Sequence, residues 1–167
     1  MKKIIALMLS LLIFTGCSCK KETIKVKLDY EEMPSSSESS THLYEDFGLL
    51  SKELHSTAEY DEKITSKDSF LLFVYRENCY GCSLLAPALK TYVDAKNVVI
   101  YTISITEIGD HDLGNKEDIK VTPYLILVEK GTIVYKELAD VKLSEDKIKN
   151  EKWVDSWMKE HIEWGNN

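Results

Sequence analysis

With 167 residues, 44% of them hydrophobic and 10% aromatic, the chain carries enough apolar material for one buried core. A formal charge of −7 argues against nucleic acid as a partner, because binding a phosphate backbone takes a basic face. No Lys/Arg cluster of that kind follows the first thirty residues.

The chain opens on an address. Lys2 and Lys3 precede an apolar run from Ile4 to Phe14 that is too short to span a bilayer comfortably, and Thr15-Gly16 places small residues before Cys17. Phe14-Thr15-Gly16-Cys17 resembles the lipobox of bacterial lipoproteins, with Phe14 where leucine is more usual. The resemblance implies a signal peptide over 1–16, acylation of Cys17, and a protein anchored by lipid on the extracytoplasmic face of the cell membrane. The alternative is an ordinary secretory signal cut elsewhere, and under both the domain is expected outside the cytoplasm. Cys19 reads as an incidental residue of the tether, with a further acyl group or an interchain pair as alternatives. The tether is expected over 17–42: Ser35 to Thr41, after Pro34, offers little to bury and favours an extended, mobile chain. Within it Thr23 to Leu28 alternates, reading as a short strand or as a solvated arm.

The globular part is expected from 43 to 167. Leu43, Phe47, Leu50 and Leu54 recur at helical spacing and predict an amphipathic helix from about Tyr44 to Tyr60. Phe70 to Tyr75 is an apolar run that reads as a buried strand, and it gives way to a helix at Cys79-Tyr80-Gly81-Cys82. Two thiols at that spacing can open and close a disulfide with little backbone movement. The amide donors and positive dipole end of the helix favour a thiolate on the first cysteine, which is the chemistry of electron exchange with other cysteines. The helix is predicted from Ser83 to about Ala95, with Leu85, Leu89 and Tyr92 on one face and Asn97 as terminator.

Val98 to Ile103 follows as a second buried strand, reached by a helical crossover and so expected parallel to the first. The polar stretch from Glu107 to Lys120 has room for a short helix. Tyr124 to Val128, Lys130-Gly131 and Thr132 to Tyr135 read as strand, tight turn and strand. A last amphipathic helix is predicted from about Asp146 to Glu163, burying Val154, Trp157, Met158 and Ile162. This order predicts a mixed sheet with helices on both faces.

The constellation of a strand, Cys79-x-x-Cys82, Ala86-Pro87 and then Val121-Thr122-Pro123 leading into a hairpin resembles the thioredoxin superfamily. The resemblance covers about Phe70 to Lys136 and, less specifically, the last helix. It implies an α/β thioredoxin-like three-layer sandwich, a central mixed sheet flanked by helices. It also implies that Cys79 is the attacking thiol and Cys82 the buried resolving one, and that Thr122-Pro123 is a cis-proline element whose backbone aligns an extended substrate peptide. A looser resemblance extends to thioredoxin-like accessory proteins of bacteriocin export. Tyr80, with Tyr75 and Tyr124, reads as an apolar rim for that peptide or as packing.

The redox-active disulfide is expected to serve with no separate cofactor and no metal. His42, His55, His111 and His161 are scattered, and Asp110-His111-Asp112 reads as a solvated loop. Three departures from the family matter. Phe73 stands six residues before Cys79, where many members carry a buried acid, and Thr102 replaces the lysine often opposite it, which leaves Glu77 or water to take the proton of Cys82. Asn78 stands where tryptophan is frequent. Tyr80-Gly81 differs from the dipeptides of reducing and oxidising relatives, so the direction of electron flow is left open.

The expectation is a monomeric thiol-disulfide oxidoreductase acting on cysteines of exported proteins or peptides, reset by a membrane or thioredoxin-like redox partner. A non-catalytic adaptor with a structural disulfide is the alternative, and a metal carrier a third.

Overall fold

The protein's structure, a computed structural model, describes residues 25–28, 51–76, 78–105, 113–138 and 151–165. Along the chain these form β1 (Val26–Leu28), β2 (Ser51–Leu54), α1 (Thr57–Thr65), β3 (Phe70–Tyr75), α2 (Tyr80–Lys96), β4 (Ile100–Ser104), α3 (Leu113–Lys116), β5 (Tyr124–Glu129), β6 (Thr132–Leu138), α4 (Glu151–His161) and β7 (Ile162–Trp164). A five-stranded sheet in the order β2-β4-β3-β5-β6 holds the centre. Strands β2, β4 and β3 run parallel, whereas β5 and β6 are antiparallel additions.

Side-chain alternation along β3 divides the core into two layers. Leu71, Phe73 and Tyr75 face one layer with residues of α2, α4, β1 and β7. Phe70, Leu72 and Val74 face the other, with Tyr60 of α1 and Leu113 of α3. A strand covered on both faces has no solvated side, and this accounts for its unbroken apolar run. The fold is thus the three-layer α/β sandwich expected.

The predicted helix over 44–60 does not form as drawn. Residues 44–50 lie outside the described residues, Ser51–Leu54 is an edge strand, and α1 starts only at Thr57. Leu54 sits in register with Ile103 and is buried in the second layer, a tertiary demand that overrides the helical spacing. Ser56 then caps α1: its hydroxyl accepts from the Glu59 N–H at 3.2 Å, while the Glu59 carboxylate reaches back to the His55 N–H at 3.0 Å. The last helix also differs. It is described over Glu151–His161, and Ile162 is buried from strand β7 rather than from the helix.

Strands β1 and β7 form a separate parallel pair, with Val26 opposite Ile162 and Leu28 opposite Trp164. Of the segment Thr23 to Leu28, read as a short strand or a solvated arm, Val26–Leu28 is a strand, and Thr23 and Ile24 lie outside the described residues. The Gly165 N–H donates to the Leu28 carbonyl at 2.7 Å, and the Trp164 indole N–H donates to the Tyr92 hydroxyl of α2 at 2.9 Å. Leu28 and Trp164 line one cavity with Ser69, Phe70 and Val99, at the starts of β3 and β4. This pole lies opposite the cysteine turn, which follows the end of β3.

In the second layer the Tyr60 hydroxyl donates to Glu117 Oε1 at 3.1 Å. Burial, reinforced by the negative charge of Glu117, holds that phenol protonated well above the ordinary tyrosine range. Lys63 lies over the Tyr101 ring at 4.1 Å and pairs with Asp68 at 3.0 Å. Burial works against its charge, but Asp68 and Tyr101 outweigh it and the ammonium pKa is raised.

Candidate functional site

The cysteine turn follows the end of β3 at Tyr75. Asn78 adopts a left-handed backbone, φ 55°, a conformation that asparagine tolerates better than most residues. It turns the chain so that Cys79 falls at the N-cap of α2. The Cys79 carbonyl accepts from the Ser83 N–H at 3.1 Å, and its sulfur lies 3.1 Å from the Cys82 N–H. Cys79 and Cys82 are joined in a disulfide, with an S–S distance of 2.18 Å and a Cα–Cα distance of 5.2 Å.

The two sulfurs differ in their surroundings. Cys82 is wholly buried, whereas Cys79 retains 6% exposure and its neighbour Tyr80 retains 57%. Around them Leu71, Phe73, Leu85, Ala86, Leu89 and Leu125 make an apolar layer. Pro87 lies inside α2, one turn beyond the pair.

The Thr122-Pro123 peptide bond is cis, and the loop it shapes comes back to the redox turn. There the Thr122 hydroxyl donates to Cys79 Sγ at 3.2 Å. The family resemblance gives Thr122 a part through its backbone alone; this hydroxyl contact adds to it, and its one clue in the sequence is a side-chain donor next to that proline. Val121, the residue before Thr122, is 46% exposed, and Tyr80 is the exposed residue after Cys79.

The other candidates fall in different places. Phe73 and Thr102 are register partners across β3 and β4, and both are buried. Tyr75 is buried and donates to Glu53 Oε1 at 2.5 Å, so it packs the interior rather than forming a rim. Tyr124 is half-buried against the second layer. Cys17, Cys19, His42, Glu77 and Asp110 to Asp112 lie outside the described residues. Among the described residues no group of three or more His, Cys, Asp or Glu side chains is placed to hold a metal ion. No described helix is long and apolar enough to cross a membrane.

Chemically the arrangement can stabilise negative charge on one sulfur. Two donors, the Cys82 N–H and the Thr122 O–H, converge on Cys79 Sγ at the positive end of a helix of 17 residues. Cys82 has no such setting, and an apolar layer favours its neutral thiol.

Comparison with known proteins agrees with this fold. The family model described as Thioredoxin matches residues 51–153. No curated protein matches the sequence. Among solved structures, a thioredoxin from Nicotiana alata superposes with a TM-score of 0.52 at 14% identity, covering 67% of this chain and 92% of its own. One from Fasciola hepatica gives 0.50 at 14% identity, covering 66% and 98%. A thioredoxin variant from Halobacterium salinarum gives 0.50 at 19% identity, covering 69% and 93%. At these identities the likeness concerns the fold.

Proposed function

This chain belongs to the thioredoxin family, and from that premise we propose that it is an extracytoplasmic, lipid-anchored thiol-disulfide oxidoreductase acting on cysteines of exported proteins or peptides. The family and a Cys79–Cys82 pair at disulfide distance support the general activity. The observation that carries the reading is the convergence of the Thr122 hydroxyl and the Cys82 amide on one sulfur, Cys79 Sγ. The motif at Phe14 to Cys17 supports export and acylation.

In the reducing direction the Cys79 thiolate attacks a substrate disulfide. A bond forms between Cys79 Sγ and one substrate sulfur, and the other leaves as a thiolate that takes up a proton. Cys82 then loses its proton to solvent and attacks Cys79 Sγ. The Cys79–Cys82 disulfide forms, the second substrate sulfur departs, and two electrons have passed from the pair to the substrate. The same steps reversed oxidise a dithiol. The partner that resets the pair is a thiol or disulfide carrier at the membrane or a second thioredoxin-like protein. Tyr80 and Val121 offer the apolar contacts, and the backbone of Thr122 the strand-like pairing, for an extended peptide.

Cys82→Ser in the full chain, expressed in its own host, tests the proposal. With the resolving thiol gone, substrates should remain linked to Cys79 and be identified by mass spectrometry. A surface-exposed, reduced trap that carries no adduct would contradict it. So would full function of a chain with both cysteines replaced by alanine.

A further inference from the structure

We infer that β1 is a membrane-side clasp, and that the cysteine pair therefore serves cysteine-bearing polypeptides held close to the same bilayer surface. The inference rests on the lipid-anchored reading above and adds to it where the anchor meets the domain. Strands β1 and β7 both lie outside residues 51–153, the part matched by the family. Val26 and Leu28 retain only 1% and 2% exposure. Their side chains enter the same buried layer as Cys79 and Cys82, and backbone pairing with Ile162–Trp164 holds the strand in register.

The clasp shortens the arm. From Cys17 to Leu43, where the sequence pattern places the start of the domain, there are 26 residue steps, but from Cys17 to Val26 there are only 9. Fully extended, those lengths reach roughly 90 Å and roughly 30 Å. As flexible coils they span roughly 28 Å and roughly 17 Å. The run Ser35 to Thr41 comes after β1 in the chain, so it adds nothing between the acyl group and the first fixed point.

The clasp also bounds the distance from the arm to the site. Leu28, two residues past the point where the arm joins at Val26, lines a cavity with Trp164 and with Phe70, the first residue of β3, whereas Cys79 follows the last, and a six-residue strand spans about 17 Å. Arm and strand together keep the reactive sulfur within roughly 50 Å of the bilayer. Cysteines within its range belong to polypeptides leaving the membrane or to the outer parts of membrane proteins. A freely diffusing protein meets it no more often than chance allows.

Paired insertions test this in the full, lipidated chain. With Cys19 and Cys82 replaced by serine, a donor dye on Cys79 in zwitterionic vesicles carrying acceptor headgroups reads the height of the site by energy transfer. About 27 Gly/Ser residues inserted after residue 19 should about double the span of the arm and lower the transfer. The same insertion within Ser35 to Thr41 should leave it unchanged. Neither insertion touches a residue packed in the described core. Equal loss of transfer from both insertions, or loss from the second alone, would overturn the clasp. Failure of the chain to bind vesicles at all would overturn the anchor itself, and with it this use of the clasp.

Discussion

At the residue scale the chemistry turns on which donors face Cys79. A hydrogen bond to a charged group contributes about 1.5 kcal/mol or more, and one pKa unit corresponds to about 1.4 kcal/mol. The Thr122 hydroxyl is 3.2 Å from the sulfur; losing it removes more stabilisation from the thiolate, a strong acceptor, than from the neutral thiol, a weak one. Thr122→Val should therefore raise the Cys79 pKa by about one unit, read from thiolate absorbance against pH, while the fold and the pair persist. An unchanged titration would mean that the hydroxyl does not serve the charged sulfur. Phe73 and Thr102 matter in the opposite sense. Side by side across β3 and β4, they put no charge in the layer beneath Cys82.

At the element scale, legibility followed local strength. Strand β3 and the start of α2 could be read because six apolar residues, a C-x-x-C turn and an amphipathic face all agreed. The register of β2 could not, since Leu54 fits a helical stripe as well as a strand and only its place opposite Ile103 decides between them. Strand β7 was hidden for a similar reason: three residues at the end of a helical pattern carry no period of their own, and β1 makes a strand of them from the far end of the chain. The cysteine pair was visible in the sequence. The Thr122 hydroxyl contact was not, because it spans 43 positions and depends on how the loop closes.

Another element-scale constraint sits in the β5–β6 turn. Gly131 has φ +75°, and a Cβ there would lie 2.2 Å from the Ile64 carbonyl oxygen at the end of α1. Both contact and backbone forbid a side chain. Gly131→Ala should cost about 2 kcal/mol or more in urea unfolding; a loss under about 0.5 kcal/mol, the range of an ordinary surface change, would contradict this packing.

At the scale of the whole molecule, stability and reactivity test different layers of one structure. Tyr60 and Lys63 both have raised pKa values in the fold, so each favours the folded state while it keeps its proton. Their contribution is complete below the ordinary values of 10.0 and 10.5 and is lost as pH rises beyond them. The urea midpoint should fall above about pH 10, and Tyr60→Phe should make that fall shallower. Equal slopes for the two proteins would contradict the burial of that phenol.

In the other layer one sulfur is activated and its partner is sheltered. The rate of alkylation of each cysteine in the reduced protein as a function of pH, followed by mass spectrometry, tests this most directly. Cys79 should react with a midpoint below about 7.5 while Cys82 stays unmodified. A midpoint near 8.5, the value of an unperturbed thiol, or equal reaction at both residues, would contradict the account.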